Sequence, residues 1–171
     1  MIEINYKIIK VDYEEDILGS EGFFELKCNG NLYGEFYPDE LESIMDKVSL
    51  YDWFTRMLRV VIALEDNSYV VLSDVESYNT WIEFTRMRDE VTLHIIEADK
   101  PDGSMDIEFE LMNKSAEEWN GATVTYMELK CEVVEKSKQY LAELLELNNQ
   151  DNENEKIIEL EHMIKKMNLG N

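Results

Sequence analysis

A chain of 171 residues with 38 Asp and Glu against 16 Lys and Arg carries a formal net charge of −22, a field that repels nucleic acid and anionic membrane surfaces and attracts basic proteins or cations. Hydrophobic residues at 44% and aromatics at 11% exclude a solvated acidic polymer, so the acidity belongs to the surface of a folded protein. The length suits one domain with at most a terminal appendage, and no stretch approaches the length of a membrane span.

Ile2, Ile4, Tyr6 and Ile8 alternate with Glu3, Asn5 and Lys7, the period of a half-buried strand, and the acidic stretch 12–22 ends it as a loop. Residues 23–27 and 32–37 flank Cys28-Asn29-Gly30-Asn31. Asn-Gly between β-prone runs predicts a hairpin, since both residues tolerate positive φ. Pro38, Asp39 and Glu40 stand where the first turn of a helix favours proline and acids, and Leu41, Ile44, Met45 and Val48 follow at helical spacing. A short helix covering the sheet is predicted there. The stretch 50–64 carries two patterns: Trp53, Met57, Val60, Val61 and Leu64 fit a helix, whereas 59–64 reads as a buried strand. The β-branched run favours a strand from Leu58, a turn at 65–68 and a return strand over 69–73.

Further strands are predicted at 80–87 and 91–98 about a tight Arg88-Asp89-Glu90 turn. Lys100-Pro101-Asp102-Gly103 has turn chemistry, and 105–112 alternates apolar and acidic residues, so one antiparallel meander accounts for the middle of the chain. Residues 122–127 carry the pattern of a last strand. From about Thr125 to Leu147, apolar residues at spacings of three, four and seven predict one long amphipathic helix. The polar break 148–154 precedes Ile157, Leu160, Ile164 and Met167, a narrow stripe that needs a partner, either its own domain or a second copy in a homodimer. The predicted fold class is α+β: an antiparallel meander sheet with a short helix after the first hairpin and one or two C-terminal helices. A single domain over 1–147 would be followed by a polar linker and terminal amphipathic helix over 148–171.

Chemical candidates are sparse. The two cysteines, Cys28 and Cys131, read as reduced, mostly buried thiols of a cytoplasmic protein, and the N-terminus lacks the basic and apolar runs of a secretion signal. Acids near Cys28 work against a nucleophilic thiolate. His94 falls on the strand face opposite Leu93 and Ile95, where a structural or surface role is favoured. His162 has no second His four residues away, as a zinc-binding helix pair would require. Asp99, Asp102 and Asp106 resemble a calcium loop only superficially, because Pro101 occupies a ligand position and Gly103 comes too early. No GxGxxG, GxxxxGK[ST] or GxSxG occurs. No catalytic, cofactor-binding or metal-ligating residue is therefore assigned, and no cofactor is expected. All four arginines, Arg56, Arg59, Arg86 and Arg88, lie in the middle third, where they balance internal carboxylates or mark a face of lower negative potential. Glu14, Glu15, Asp16, Glu117 and Glu118, with Trp119 as an anchor if exposed, are the candidate contacts to a partner.

The opening strand Gly22-Phe23-Phe24-Glu25-Leu26, the meander through Trp81-Ile82-Glu83-Phe84, and Trp119 leading to a closing helix with Ser137-Lys138-Gln139-Tyr140-Leu141 give the chain an architecture that resembles the immunity proteins of bacterial toxin systems. The resemblance spans the chain as an architectural likeness without a diagnostic motif, so it assigns no residue by position. It implies a non-catalytic protein that binds a basic toxin such as a nuclease and presents acidic side chains to it, with no nucleic-acid or membrane partner. Two alternatives stay open: a structural or regulatory domain that self-associates, and a small-ligand-binding protein or carboxylate-dependent enzyme.

Overall fold

Alternation along the first residues produces the first pairing. In the computed structural model, which describes residues 1–10, 16–100, 103–151 and 153–168, with the backbone alone at 116–118, 120, 121 and 168, β1 (Ile2–Ile8) runs antiparallel to β2 (Glu21–Cys28). Ile4 lies opposite Leu26 and both are fully buried. The chain turns through Asn29 at φ 48° and Gly30 at φ 88° into β3 (Asn31–Glu35), the left-handed pair that a two-residue hairpin demands. β4 (Val48–Ser49) then pairs with the start of β2. Between β3 and β4 the predicted short helix shrinks to a single 3-10 turn at Asp39–Leu41, none of whose residues is buried. Ile44, which should have anchored that helix, is 72% exposed. A short helix without an apolar face to bury does not persist.

The stretch 50–64 resolves against the expected strand. α1 (Leu50–Ala63) is one helix, started by Ser49, whose hydroxyl accepts the Asp52 N–H at 3.3 Å. It packs on β2 of the first sheet, on the next strand β5 (Tyr69–Ser73), and on both C-terminal helices. Nine of its 14 residues are buried, so the apolar stripe widens until Val60-Val61-Ile62 mimics a strand. Because α1 carries the chain across the core, the single meander divides into two antiparallel sheets. The second has the order β8-β5-β6-β7-β9, where β6 is Thr80–Met87, β7 Glu90–Glu97, β8 Ile107–Glu108 and β9 Ser115–Thr125. The strand predicted over 105–112 is thus only two residues long, and the one predicted from Ala122 is the end of a longer strand.

The long helix, α2 (Tyr126–Leu147), starts where the sequence placed it. Thr125 and Glu128 form a reciprocal capping box: the Thr125 hydroxyl accepts the Glu128 N–H, and the Glu128 carboxylate accepts the Thr125 N–H at 2.9 Å. α3 (Glu155–Asn168) buries Ile157, Leu160, Met163, Ile164 and Met167 in the same core as residues 1–147, against α1 and α2. Of the two partners left open for that stripe, it takes its own domain. Cys28 is buried, but Cys131 on α2 is exposed, contrary to expectation, because it falls on the helix face away from Leu129 and Val133.

Two side chains finish the sheet margins. The Asn29 amide donates to the Thr123 carbonyl at 2.6 Å, tying the hairpin of the first sheet to the edge strand of the second. Glu132 of α2 accepts the N–H of Ile4, in the edge strand β1, at 2.7 Å. Among the described residues no helix is long and apolar enough to cross a membrane.

Candidate functional site

A cleft of about 870 Å³ opens where the two sheets meet, between β3, β4, the start of α1 and the turn that follows β5. Its position follows from local chemistry. Gly34 of β3 sits at φ 86°, and a Cβ there would stand 2.3 Å from the Phe24 carbonyl. Only glycine allows β3 to lie this close to β2 in that conformation, which brings Tyr33 and Glu35 to the rim.

Aromatic rings build the wall. Phe24 and Trp53 stack with centroids 4.6 Å apart and planes within 5° of parallel, and Tyr33 meets Trp53 edge-on at 6.2 Å. Trp119 packs edge-on against Tyr33 from behind, at 6.3 Å. Around the rings stand Glu21, Glu35, Asp46, Asp74 and Glu76 against one cation, Lys47. None of the four arginines lines the cleft.

Hydrogen bonds fix this arrangement before any ligand arrives. Buried Asp74 accepts the Tyr33 hydroxyl, and its other oxygen accepts the N–H groups of Glu76 and Ser77 at 2.7 and 2.6 Å. Lys100 donates to the carbonyls of Asp74 and Ser77, pinning the turn from below. Burial holds its ammonium below the ordinary value despite the Asp74 charge. Glu76 accepts the Ser49 N–H at 3.2 Å, fastening the turn to the entrance of α1. Glu35 accepts the Tyr37 hydroxyl. Glu21 and Asp46 differ: no hydrogen bond or ion pair from the described residues engages either carboxylate. These two acids are left to face solvent or a ligand.

A second polar group lies on the outer face of the larger sheet. Glu83 of β6, 5% exposed, pairs in register with His94 of β7, whose Nδ1 is 3.3 Å from the carboxylate, and it forms an ion pair with Lys114. Burial alone would raise the Glu83 carboxyl, but the Lys114 hydrogen bond and the neighbouring positive charges outweigh it and hold it below the usual range. Lys114 reaches over this face to the carboxylate, and Leu111 packs on the neighbouring Val71, Trp81 and Ile96 cluster. The group reads as a structural polar centre. His94 thus takes the structural role the sequence favoured.

The carboxylates that the arginines meet are not internal as expected but largely exposed, Asp106 at 39% and Glu159 at 45%. Arg56 and Arg59 both reach Asp106, Arg59 also reaches Glu159 at 2.9 Å, and Arg86 donates to the Leu64 and Arg88 carbonyls while lying 3.9 Å over the Tyr126 ring. Among the described residues no group of three His, Cys, Asp or Glu side chains is placed to hold a metal ion.

The contacts expected from sequence are scattered. Glu14 and Glu15 lie outside the described residues. Asp16 is exposed and meets Lys156 at 3.4 Å. Glu117 and Glu118 fall on β9, opposite Ile96 and Ile95, with only their backbone described. Trp119 is 9% exposed, at φ 68° in the irregular part of β9, and reaches the cleft only through Tyr33. Sequence reasoning missed Glu21, Tyr33, Asp46 and Trp53. Acids and aromatics interleaved at strand ends were the available signal, but nothing local says that 21–35, 45–53 and 74–77 converge. Compared with protein-family models, curated proteins and solved structures, the chain matches none.

Proposed function

We propose that this chain is a non-catalytic acidic protein-binding protein of the cytoplasm, an immunity protein that neutralises a basic toxin such as a nuclease, and that the cleft between the sheets is its centre of contact. The observation that carries the reading is the cleft itself, five carboxylates to one ammonium around a preformed aromatic wall. The −22 net charge supplies long-range attraction, which raises association rates with a basic partner and penalises acidic ones. A rigid cleft adds specificity, because ordering costs are met within the free protein. The self-associating alternative is less well supported, since the α3 stripe is already buried.

The test is isolation of the partner with tagged full-length chain, then measurement of its affinity against salt. A basic partner whose affinity drops about tenfold from low to moderate salt is expected. A partner bound equally at all salt concentrations, or an acidic one, would sink the proposal.

A further inference from the structure

Resting on that protein-binding reading, we infer that a second contact lies at β8, where an extended basic segment of the partner adds a strand to the larger sheet and lays apolar side chains on Phe109 and Met112. Three observations select this surface and this occupant. First, the sheet ends at β8 without a plug. The Ser73 N–H donates to the Asp106 carbonyl and Val71 lies opposite Glu108, so Ile107 between them turns its own N–H and carbonyl outward, where no described residue takes either. On the edge strand β1 of the other sheet, by contrast, Glu132 occupies the N–H of Ile4. An open rung is where an extended chain adds by main-chain hydrogen bonding.

Second, an apolar hollow of about 660 Å³ adjoins that rung. Phe109 and Met112 line it and are each more than half exposed, with half-buried Leu111 beside them. Apolar side chains gathered in the open within a polar rim mark a contact surface, and the thioether adapts to whatever packs on it. Glu108 belongs both to β8 and to the hollow, so alternate side chains of an added strand fall over it. Third, the rim has one sign. Asp99, Glu108 and Glu110 line the hollow with no cation among the described residues, because both lysines of the segment turn away: Lys100 donates to the Asp74 and Ser77 carbonyls, and Lys114 to Glu83. That rim repels a second copy, itself at −22, and an anionic lipid surface. Lysine or arginine alternating with apolar residues complements rim and hollow together. Asp99 adjoins Lys100, which pins the turn of the cleft, so one partner spans both contacts.

The test uses the full chain and a short acetylated, amidated peptide alternating lysine with valine. The comparison ligands are the same residues reordered to helical spacing and an alternating glutamate–valine peptide, and binding is followed by calorimetry and by the Met112 methyl resonance. Saturable binding of the alternating basic peptide, a shift of that resonance, and affinity at least about tenfold weaker for both comparison peptides are expected. Phe109→Gln combined with Met112→Gln should weaken the basic peptide about tenfold with the melting temperature retained, because both side chains are exposed. No saturable binding, a comparison peptide bound as tightly, a stationary Met112 resonance, or unchanged affinity in the double variant would each overturn the assignment. If the basic partner binds the double variant undiminished, the β8 contact falls while the protein-binding proposal stands; if no basic partner binds the parent chain, the proposal itself falls.

Discussion

Tyr126 places its hydroxyl 3.1 Å from the Val61 carbonyl, and burial with the nearby Glu65 charge pushes its pKa up to about 12. Tyr6 and Tyr51 are raised further, again first by burial and then by hydrogen bonds to Glu143 and Glu159. A folded-state value above the unfolded one gives stability that is fully present below about pH 10 and lost as the pH rises through the folded value. An ultraviolet titration of phenolate should therefore show these tyrosines ionising only as the chain unfolds. Simultaneous ionisation of all tyrosines near pH 10 would contradict the packing described. Glu83 has the opposite sign. Its carboxyl is depressed, so its contribution is present above the ordinary carboxylate range near pH 4 and lost as the pH falls through the lowered value. Glu83→Gln should cost about 2 kcal/mol in urea unfolding at neutral pH, and the gap from the parent chain should close in acid.

At the scale of elements, Thr125 matters through geometry that spans only four residues. Thr125→Ala removes the acceptor for the Glu128 N–H and should lower stability by about 1 kcal/mol, read from urea midpoints. Such short-range devices explain what was legible in the sequence. Asn29-Gly30 announced its hairpin because the turn demands φ values those residues tolerate, whereas α2 was announced by its apolar spacing and the Thr125–Glu128 box that fixes its start went unread. α1 was misread because the β-branched run Val60-Val61-Ile62 reads as a strand by itself, although Asp52, Arg56 and Arg59 keep a polar face at helical spacing. The helix expected after Pro38 failed for the converse reason: its caps were plausible, but its apolar side chains found no core. The cleft was illegible because three segments distant in sequence compose it, and its position depends on α1 separating two sheets. Trp119 shows the same limit: its φ of 68° and its contact with Tyr33 are tertiary facts about a residue that reads as an ordinary anchor.

For the whole molecule, a net charge of −22 on 171 residues stores self-repulsion that is absent once the chain expands. Screening should stabilise the fold, in contrast to a protein held together by surface ion pairs. Adding salt at neutral pH is expected to raise the melting temperature, about 3 °C for each 1 kcal/mol of repulsion relieved. A melting temperature that falls with salt would mean that the ion pairs joining α1 to Asp106 and Glu159 outweigh the general repulsion.

Salt that firms up the fold should also loosen its hold on a basic partner, so stability and affinity are set against each other by the same carboxylates. Glu132 adds a third consequence. By occupying the outward N–H of Ile4 it denies a docking rung to any neighbouring copy, and its charge keeps such copies at a distance. Removing that carboxylate, as in Glu132→Ala, would reopen the rung and leave the β1 edge more prone to pairing with a second chain.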